Sequence, residues 1–227
     1  MINFANRLLN QLESTYRRMK QTAFITLLLL STIGSLMAQK DKRAETILDA
    51  MSARYKALNS YQATFSYSID REAYKGDIAV KGKMFRLKTA GQEVFTDGKV
   101  MSTYVKESNE VNIQDYDASA SGDFNPTKIY SMYKSGFNYT YLREQKTAGR
   151  ILDVIELKPE KKNTQIANVQ ISVDRADKSV RNWHTIDKNG KRTVYTISKF
   201  TPNPNLSDNY FVFDKAKYPG VEVVDLR

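Results

Sequence analysis

The feature that most constrains this chain is a change of hydrophobic period at Asn59-Ser60. From there Tyr61, Ala63, Phe65, Tyr67 and Ile69 alternate with Gln62, Thr64, Ser66, Ser68 and Asp70. Successive side chains of a strand point to opposite faces, so this run predicts a half-buried strand with one apolar and one polar side. The same alternation returns in short units over 77–81, 83–89, 93–96, 100–105 and 109–115. Asp97-Gly98 joins two of them, and an Asp-Gly pair between strand patterns is a hairpin signal because both turn positions favour residues that tolerate positive φ. Further strands are predicted at 137–143, 151–157, 165–174, 180–186 and 192–200, with Asn189-Gly190 as another hairpin turn.

Two segments break this rhythm. Over 42–58, Ile47, Leu48, Met51, Tyr55 and Leu58 fall on one helical stripe. At Asn125-Pro126 an N-cap residue precedes a proline preorganised for a first turn, Ile129, Tyr130, Met132 and Tyr133 form an apolar face, and Gly136 is placed to end it. About ten strands and two helices, with turn signals every 8 to 12 residues or so, read as a barrel or sandwich. Two amphipathic helices must bury their stripes on something. The simplest arrangement is a strongly curved antiparallel sheet with the helices packed across its concave side.

Ahead of this domain, Lys20 is followed by an uncharged stretch from Gln21 to Gln39 centred on Phe24-Ile25-Thr26-Leu27-Leu28-Leu29-Leu30, which reads as a signal peptide over 19–38. Ser35-Leu36-Met37-Ala38 supplies a small residue for cleavage after Ala38. Thr26, Ser31, Thr32, Gly34 and Ser35 dilute the run below what a spanning helix requires. Met19-Lys20 looks like the natural start of that leader, so 1–18 is read as an over-extended frame or a long basic n-region and is assigned no function. Residues 39–227 are then one domain. Loss of Arg7, Arg17, Arg18 and Lys20 along with Glu13 lowers the formal net charge from +10 to +7.

Little here suits catalysis. The chain has no cysteine, which removes disulfides, thiolate metal sites and a lipid-anchored N-terminus. His184, the single histidine, sits in a strand pattern beside Trp183 without a nucleophile motif. Asp97, Asp153 and Asp174 have no spacing that recommends an acid/base pair, and phosphate-loop and dinucleotide glycine patterns are absent. The expectation is a protein without catalytic residues, metal or cofactor. Nucleic-acid binding, which basic charge and aromatic residues otherwise suggest, is disfavoured by export. Lys161-Lys162 and the lysines of 81–88 read as solvated edges and turns.

Aromatic residues are 11% of the chain. Most would fill a core, yet a curved sheet crossed by helices can also enclose a void suited to acyl chains. Periodicity alone does not separate a packed core from a lined cavity.

The order Leu58-Asn59-Ser60-Tyr61-Gln62-Ala63-Thr64-Phe65, then Gly76-Asp77-Ile78-Ala79-Val80-Lys81, then Thr96-Asp97-Gly98-Lys99 followed by Tyr104 resembles the outer-membrane lipoprotein carrier family, LolA, particularly its Bacteroidetes-like versions. Phe211-Val212-Phe213 and the C-terminal Tyr218-Pro219-Gly220-Val221-Glu222-Val223-Val224-Asp225-Leu226-Arg227 fit as well. The resemblance implies a mainly β fold with α, an unclosed antiparallel β-barrel with an α-helical lid over an apolar cavity. It also implies a periplasmic, monomeric carrier of acylated lipoproteins, served by an inner-membrane lipoprotein-releasing complex and an outer-membrane acceptor. Some family members carry an arginine after the Val-Lys of the early strand, thought to latch the lid. Here Val80-Lys81 is followed by Gly82, and Arg86 is not assigned that role.

On this reading the expected lipid-binding residues on strands are Phe65, Tyr67, Ile69, Ile78 and Val80, then Phe85, Leu87, Met101 and Ile113. Met51, Tyr55, Met132 and Tyr133 would face them from the lid. These are face assignments, and a one-residue slip of register exchanges inside for outside. The alternatives are a carrier or sensor of another lipid on the same fold and, in a different class, an enzyme acting on a lipid-like substrate, which would need a cluster of polar groups in the cavity.

Overall fold

The computed structural model describes residues 41–69, 72–117, 127, 130–161 and 164–227. The leader predicted at 19–38, the helix start at Asn125-Pro126 and Ile129 lie outside the described residues. One α-helix, α1 (Lys42–Lys56), leads into β1 (Ser60–Ile69), β2 (Glu72–Lys81), β3 (Met84–Lys88), β4 (Gln92–Thr96), β5 (Val100–Val105) and β6 (Glu110–Asp115). After a 3-10 turn at Met132–Lys134 come β7 (Phe137–Thr147), β8 (Arg150–Pro159), β9 (Ile166–Asp174), β10 (Val180–Asp187) and β11 (Arg192–Pro202), and β12 (Glu222–Asp225) ends the chain.

Among the described residues, twelve strands form one sheet in the order β12-β6-β5-β4-β3-β2-β1-β11-β10-β9-β8-β7. The edges are β12 and β7, so the sheet is an open barrel rather than a closed one. Its ladders are antiparallel except for β12, which runs parallel to β6. The meander expected for the first half is present, and β1 is the seam where it meets the β7–β11 half, through pairing with β11.

Helix α1 starts where Asp41 caps it: one carboxylate oxygen accepts from the Arg43 and Ala44 backbone N–H groups at 2.9 and 3.1 Å. The other oxygen accepts from the Tyr141 N–H at 2.7 Å, which ties the helix start to β7. Ala44, Leu48, Met51 and Tyr55 are buried on one stripe and share a core with Tyr61, Val80, Phe85, Ile155, Leu157, Ile171 and Trp183 from the sheet. The sheet face toward α1 is called inner below, and the opposite face outer.

Three details differ from the sequence reading. The second helix is a 3-10 turn where it is described, over Met132–Lys134: Lys134 and Ser135 donate to the carbonyls three residues back, Ser131 and Met132. β2 begins at Glu72 rather than near 77, because Gly76 interrupts the hydrophobic pattern without interrupting the strand. That glycine is a packing choice: a Cβ there would lie 2.5 Å from Cζ of Phe65, its cross-strand partner, and 2.8 Å from the Lys88 carbonyl oxygen. The third difference is the strand β12.

The C-terminal segment covers the outer face of β3–β6. Phe95 meets the rings of Phe213 and Tyr218, Tyr218 meets Tyr104 at 4.5 Å, and Phe211 and Val111 are fully buried. Glu93, 7% exposed, anchors this clasp by accepting from Arg86 and from the Tyr218 hydroxyl at 2.7 Å each.

Candidate functional site

Residues paired directly across strands share a face, so the register determines what lines the inside. From Tyr61 on β1 an inner row runs through Val80 and Phe85 to Thr96 and Met101. A second runs from Ala63 through Ile78 and Leu87 to Val94. On the other half, Tyr67 opposes Tyr195, Tyr195 opposes Trp183, Trp183 opposes Ile171, and Ile171 opposes Ile155. The inner face is therefore apolar across most of the sheet.

It is not filled solid. A cavity of about 240 Å³ remains, walled by Tyr55 of α1, by Tyr61, Ala63 and Phe65 of β1, and by Ile78 and Leu87 of β2 and β3. Val180, Trp183 and Thr185 of β10, Tyr195, Ile197 and Phe200 of β11, and Tyr130 close the remainder. No charged residue is among them. At one end Tyr130 stacks on Tyr55 with ring centroids 3.4 Å apart, and Tyr61 and Phe200 pack edge-on to Tyr130 and Tyr55, respectively. Burial raises the pKa of the Tyr55, Tyr61 and Tyr130 phenols, so this wall is neutral at physiological pH. A second, more polar chamber of about 230 Å³ shares the same three tyrosines and is bordered also by Ser52, Lys56, Asn59, Ser60 and Gly82.

Four expected lining residues, Tyr55, Phe65, Ile78 and Leu87, come together around this space, and Tyr67 stands beside them on the same face. Tyr67 lies past the cavity wall, stacked between Tyr74 and Tyr195. Val80, Phe85, Met51 and Tyr133 are buried in the adjoining core, and Met132 packs against it. Met101 is half-buried at the far end of its row, away from the cavity. Ile113 corrects the reading: it opposes Ser102, which opposes Phe95, and so belongs to the outer face under the C-terminal clasp. The strand β6 is in phase with Val111 outside, one residue off the assumed alternation. The side chain of Ile69 lies outside the described residues.

Sequence reasoning missed the whole of the wall supplied by β10 and β11. A register shift opposite Thr64 and Phe65 places Phe200 against Ala63 and Ile197 against Phe65, so residues of unlike parity face inward together. A bulge of this kind breaks the period-two signal.

The buried carboxylates are occupied by structural work. Asp153 bonds Arg175 at 2.6 Å, and that hydrogen bond, against burial, holds its pKa below the ordinary value. For Asp174 burial is the larger influence, but bonds from Arg150 and Arg181 overcome it and keep the carboxyl ionised. Asp153 opposes Val173 and Asp174 opposes Leu152, so the two lie on opposite faces and form no acid/base pair. Asp97 accepts from the Lys99 and Val100 N–H groups in its turn. His184 opposes Val194 and Gln170 on the outer face, and burial, then Arg143 and Arg192, lower its pKa. Among the described residues no group of three His, Cys, Asp or Glu is placed to hold a metal, and no helix is long and apolar enough to cross a membrane.

Gly82 has a φ of +59° in the β2–β3 turn, a conformation that an arginine adopts only under strain. Arg86 points to the outer face, into the Glu93 clasp, and takes no part in holding α1. The helix is instead tied by Asp41 to Tyr141 N–H, by Asp49 accepting from the Tyr133 hydroxyl, by Arg54 donating to the Asp177 carbonyl, and by Tyr55 accepting from Val180 N–H.

The sequence model of the family described as outer membrane lipoprotein carrier protein LolA matches residues 56–214. The chain is similar to an outer-membrane lipoprotein carrier protein of Pasteurella multocida (strain Pm70), 27% identical over 215 residues that cover 92% of this chain and 97% of that one. A second such protein, from Histophilus somni (strain 2336), is 27% identical over 79% of this chain and 83% of its own length. In fold, the chain is similar to an uncharacterized conserved protein from Thermus thermophilus, with a TM-score of 0.57 at 14% identity over 81% of this chain and 99% of that one.

Proposed function

We propose, from the premise that the chain belongs to the LolA family of outer membrane lipoprotein carriers, that the cavity between α1 and the inner face takes up the acyl chains of the lipoprotein it carries. Family members are carriers rather than enzymes, and lipoproteins are the cargo of this chain. The observation that supports the acyl site is the uncharged cavity wall itself. Its aromatic and aliphatic groups offer apolar contact in place of a membrane, and each methylene transferred contributes about 0.8 kcal/mol.

The finer reading is a periplasmic monomer, exported by its leader, that moves lipoproteins from the inner to the outer membrane. Extraction of acyl chains from a bilayer opposes their hydrophobic burial there, and this sequence holds no nucleotide-binding pattern. The energy therefore has to come from an inner-membrane releasing complex, and an outer-membrane acceptor has to offer the chains a more favourable home.

The test is native mass spectrometry of residues 39–227 purified from cells that also express an acylated lipoprotein. A one-to-one complex that vanishes when the lipoprotein lacks its acyl chains supports the reading. Capture of free lipids alone redirects it to small-lipid transport.

A further inference from the structure

The outer face carries a second concavity, separated from the acyl cavity by the thickness of the sheet. It is a groove of about 300 Å³ across β3, β2, β1 and β11. One cross-strand row forms its length: Lys199 opposes Thr64, Thr64 opposes Asp77, and Asp77 opposes Lys88. The neighbouring row, Thr201, Gln62, Ala79 and Arg86, lies beside it, and Tyr210 of the C-terminal segment walls one side.

The charges in this groove are not equivalent. Arg86 is neutralised by Glu93 at 2.5 Å, and Glu93 is further held by Tyr218. Asp77 accepts from the Thr64 hydroxyl at 2.8 Å. Lys88 and Lys199 are exposed, and among the described residues neither has an ion-pair partner. Two exposed lysines without a direct ion pair thus stand at the two ends of a polar row: Lys88 lies opposite Asp77 and Glu93, Asp77 is engaged by Thr64 between the lysines, and Gln62, Thr64 and Thr201 supply hydrogen-bonding groups that suit a peptide backbone.

The spacing of the lysines selects an occupant. They are three strand steps apart, about 14 Å at roughly 4.8 Å per step. An extended peptide rises about 3.4 Å per residue and repeats its side-chain direction every second residue. Four residues therefore span the row and return a side chain to the same face. A compact anion meets only one of the two lysines.

We infer that this outer groove is a second binding site, for an extended acidic segment of a protein partner that lies across the strands with carboxylates at positions i and i+4. The site is formed only when the C-terminal segment is clasped, because Tyr210 and the Arg86–Glu93 pair belong to its wall. It operates independently of the acyl cavity, which lies on the other face.

Fluorescence anisotropy with the full chain tests this, using labelled Ser/Thr peptides that carry two glutamates at i and i+4 or, as a control of equal charge, at i and i+3. The i,i+4 peptide is expected to bind about tenfold more tightly at low ionic strength. The double neutralisation Lys88→Gln with Lys199→Gln, which places no like charge opposite Asp77 or Glu93, should abolish that binding while leaving the urea midpoint and fatty-acid binding unchanged. Equal binding of the two peptides, or binding that survives the double neutralisation, overturns the inference. So does binding of phosphatidylglycerol vesicles with none of either peptide, which would make the groove a membrane contact.

Discussion

Replacing Ala63 by leucine distinguishes a lined cavity from a packed core. Ala63 is 6% exposed, opposes Phe200 and Ile78 on its two neighbouring strands, and borders the inner cavity. Leucine adds three carbons. At about 30 Å³ each, close to the liquid share of a water molecule, they occupy about 90 Å³, more than a third of the 240 Å³ present. In the unliganded protein those carbons enter empty apolar space and contribute about 2.4 kcal/mol of burial, so the urea midpoint rises. The same volume is denied to a ligand. Three displaced methylenes lower acyl affinity by about 2.4 kcal/mol, or roughly fiftyfold at about 1.4 kcal/mol per decade. Urea melts and titration with a fluorescent fatty acid read both effects. A filled core gives the opposite sign for stability, since overpacking costs about 1–3 kcal/mol. A lower midpoint, or undiminished fatty-acid affinity, refutes the cavity.

Asp153→Asn removes the partner of Arg175 beneath Tyr141 and should cost about 3 kcal/mol at neutral pH. Because the folded pKa of Asp153 is depressed, its stabilisation is present above the unfolded value near 3.9 and is lost as pH falls through the folded one. Urea midpoints of parent and variant should thus differ constantly from pH 8 to about 5 and converge below about 4. Gly76→Ala should lower stability by about 2 kcal/mol, read as a lower urea midpoint, and reduce fatty-acid affinity, because the new methyl meets Phe65, a residue of the cavity wall, and the Lys88 carbonyl. Glu93→Ala leaves Arg86 without its carboxylate and releases Tyr218, so hydrogen exchange should accelerate in 208–225 while β7–β10 stay protected.

The architecture was legible where one face is apolar and the other polar. β1 alternates cleanly because Gln62 and Thr64 line the outer groove while Tyr61 and Ala63 line the inside. α1 was legible for the same reason, through Leu48, Met51 and Tyr55. The signal failed where both faces are buried. β6 carries Val111 under the C-terminal clasp and Ile113 on that same outer side, so hydrophobicity there did not mark the inside. It failed again at the β1–β11 bulge, where Ile197 and Phe200 both face inward although their separation is odd. Tyr130, which completes the cavity, was read as one face of a helix, whereas its role comes from stacking on Tyr55, a contact between segments far apart in sequence.

The size of the cavity bears on how a carrier of this kind is loaded. At about 30 Å³ per methylene-sized group, 240 Å³ accommodates about eight, fewer than the roughly fourteen carbons of one myristoyl chain. The nearest additional space is the second chamber of about 230 Å³, which shares Tyr55, Tyr61 and Tyr130 with the first. That chamber also presents Lys56, Asn59 and Ser60, so it suits the polar end of a ligand better than its acyl chain. A whole chain requires α1 to rise from the sheet. Its apolar stripe of Ala44, Leu48 and Met51 would then rest on acyl chains in place of the sheet, with little change in hydrophobic contact. What is given up is a set of polar ties, the hydrogen bonds through Asp41, Asp49, Arg54 and Tyr55 and the ion pairs Lys134–Asp49 and Arg43–Asp153. Three of the four hydrogen bonds involve a charged group and contribute about 1.5–3 kcal/mol each, the fourth about 1, so at about 0.8 kcal/mol per methylene the burial of roughly seven to twelve more carbons offsets the four. On the acyl-site proposal, polar contacts of this kind, and not an arginine latch at Gly82, are what a lipid chain has to displace to lift α1.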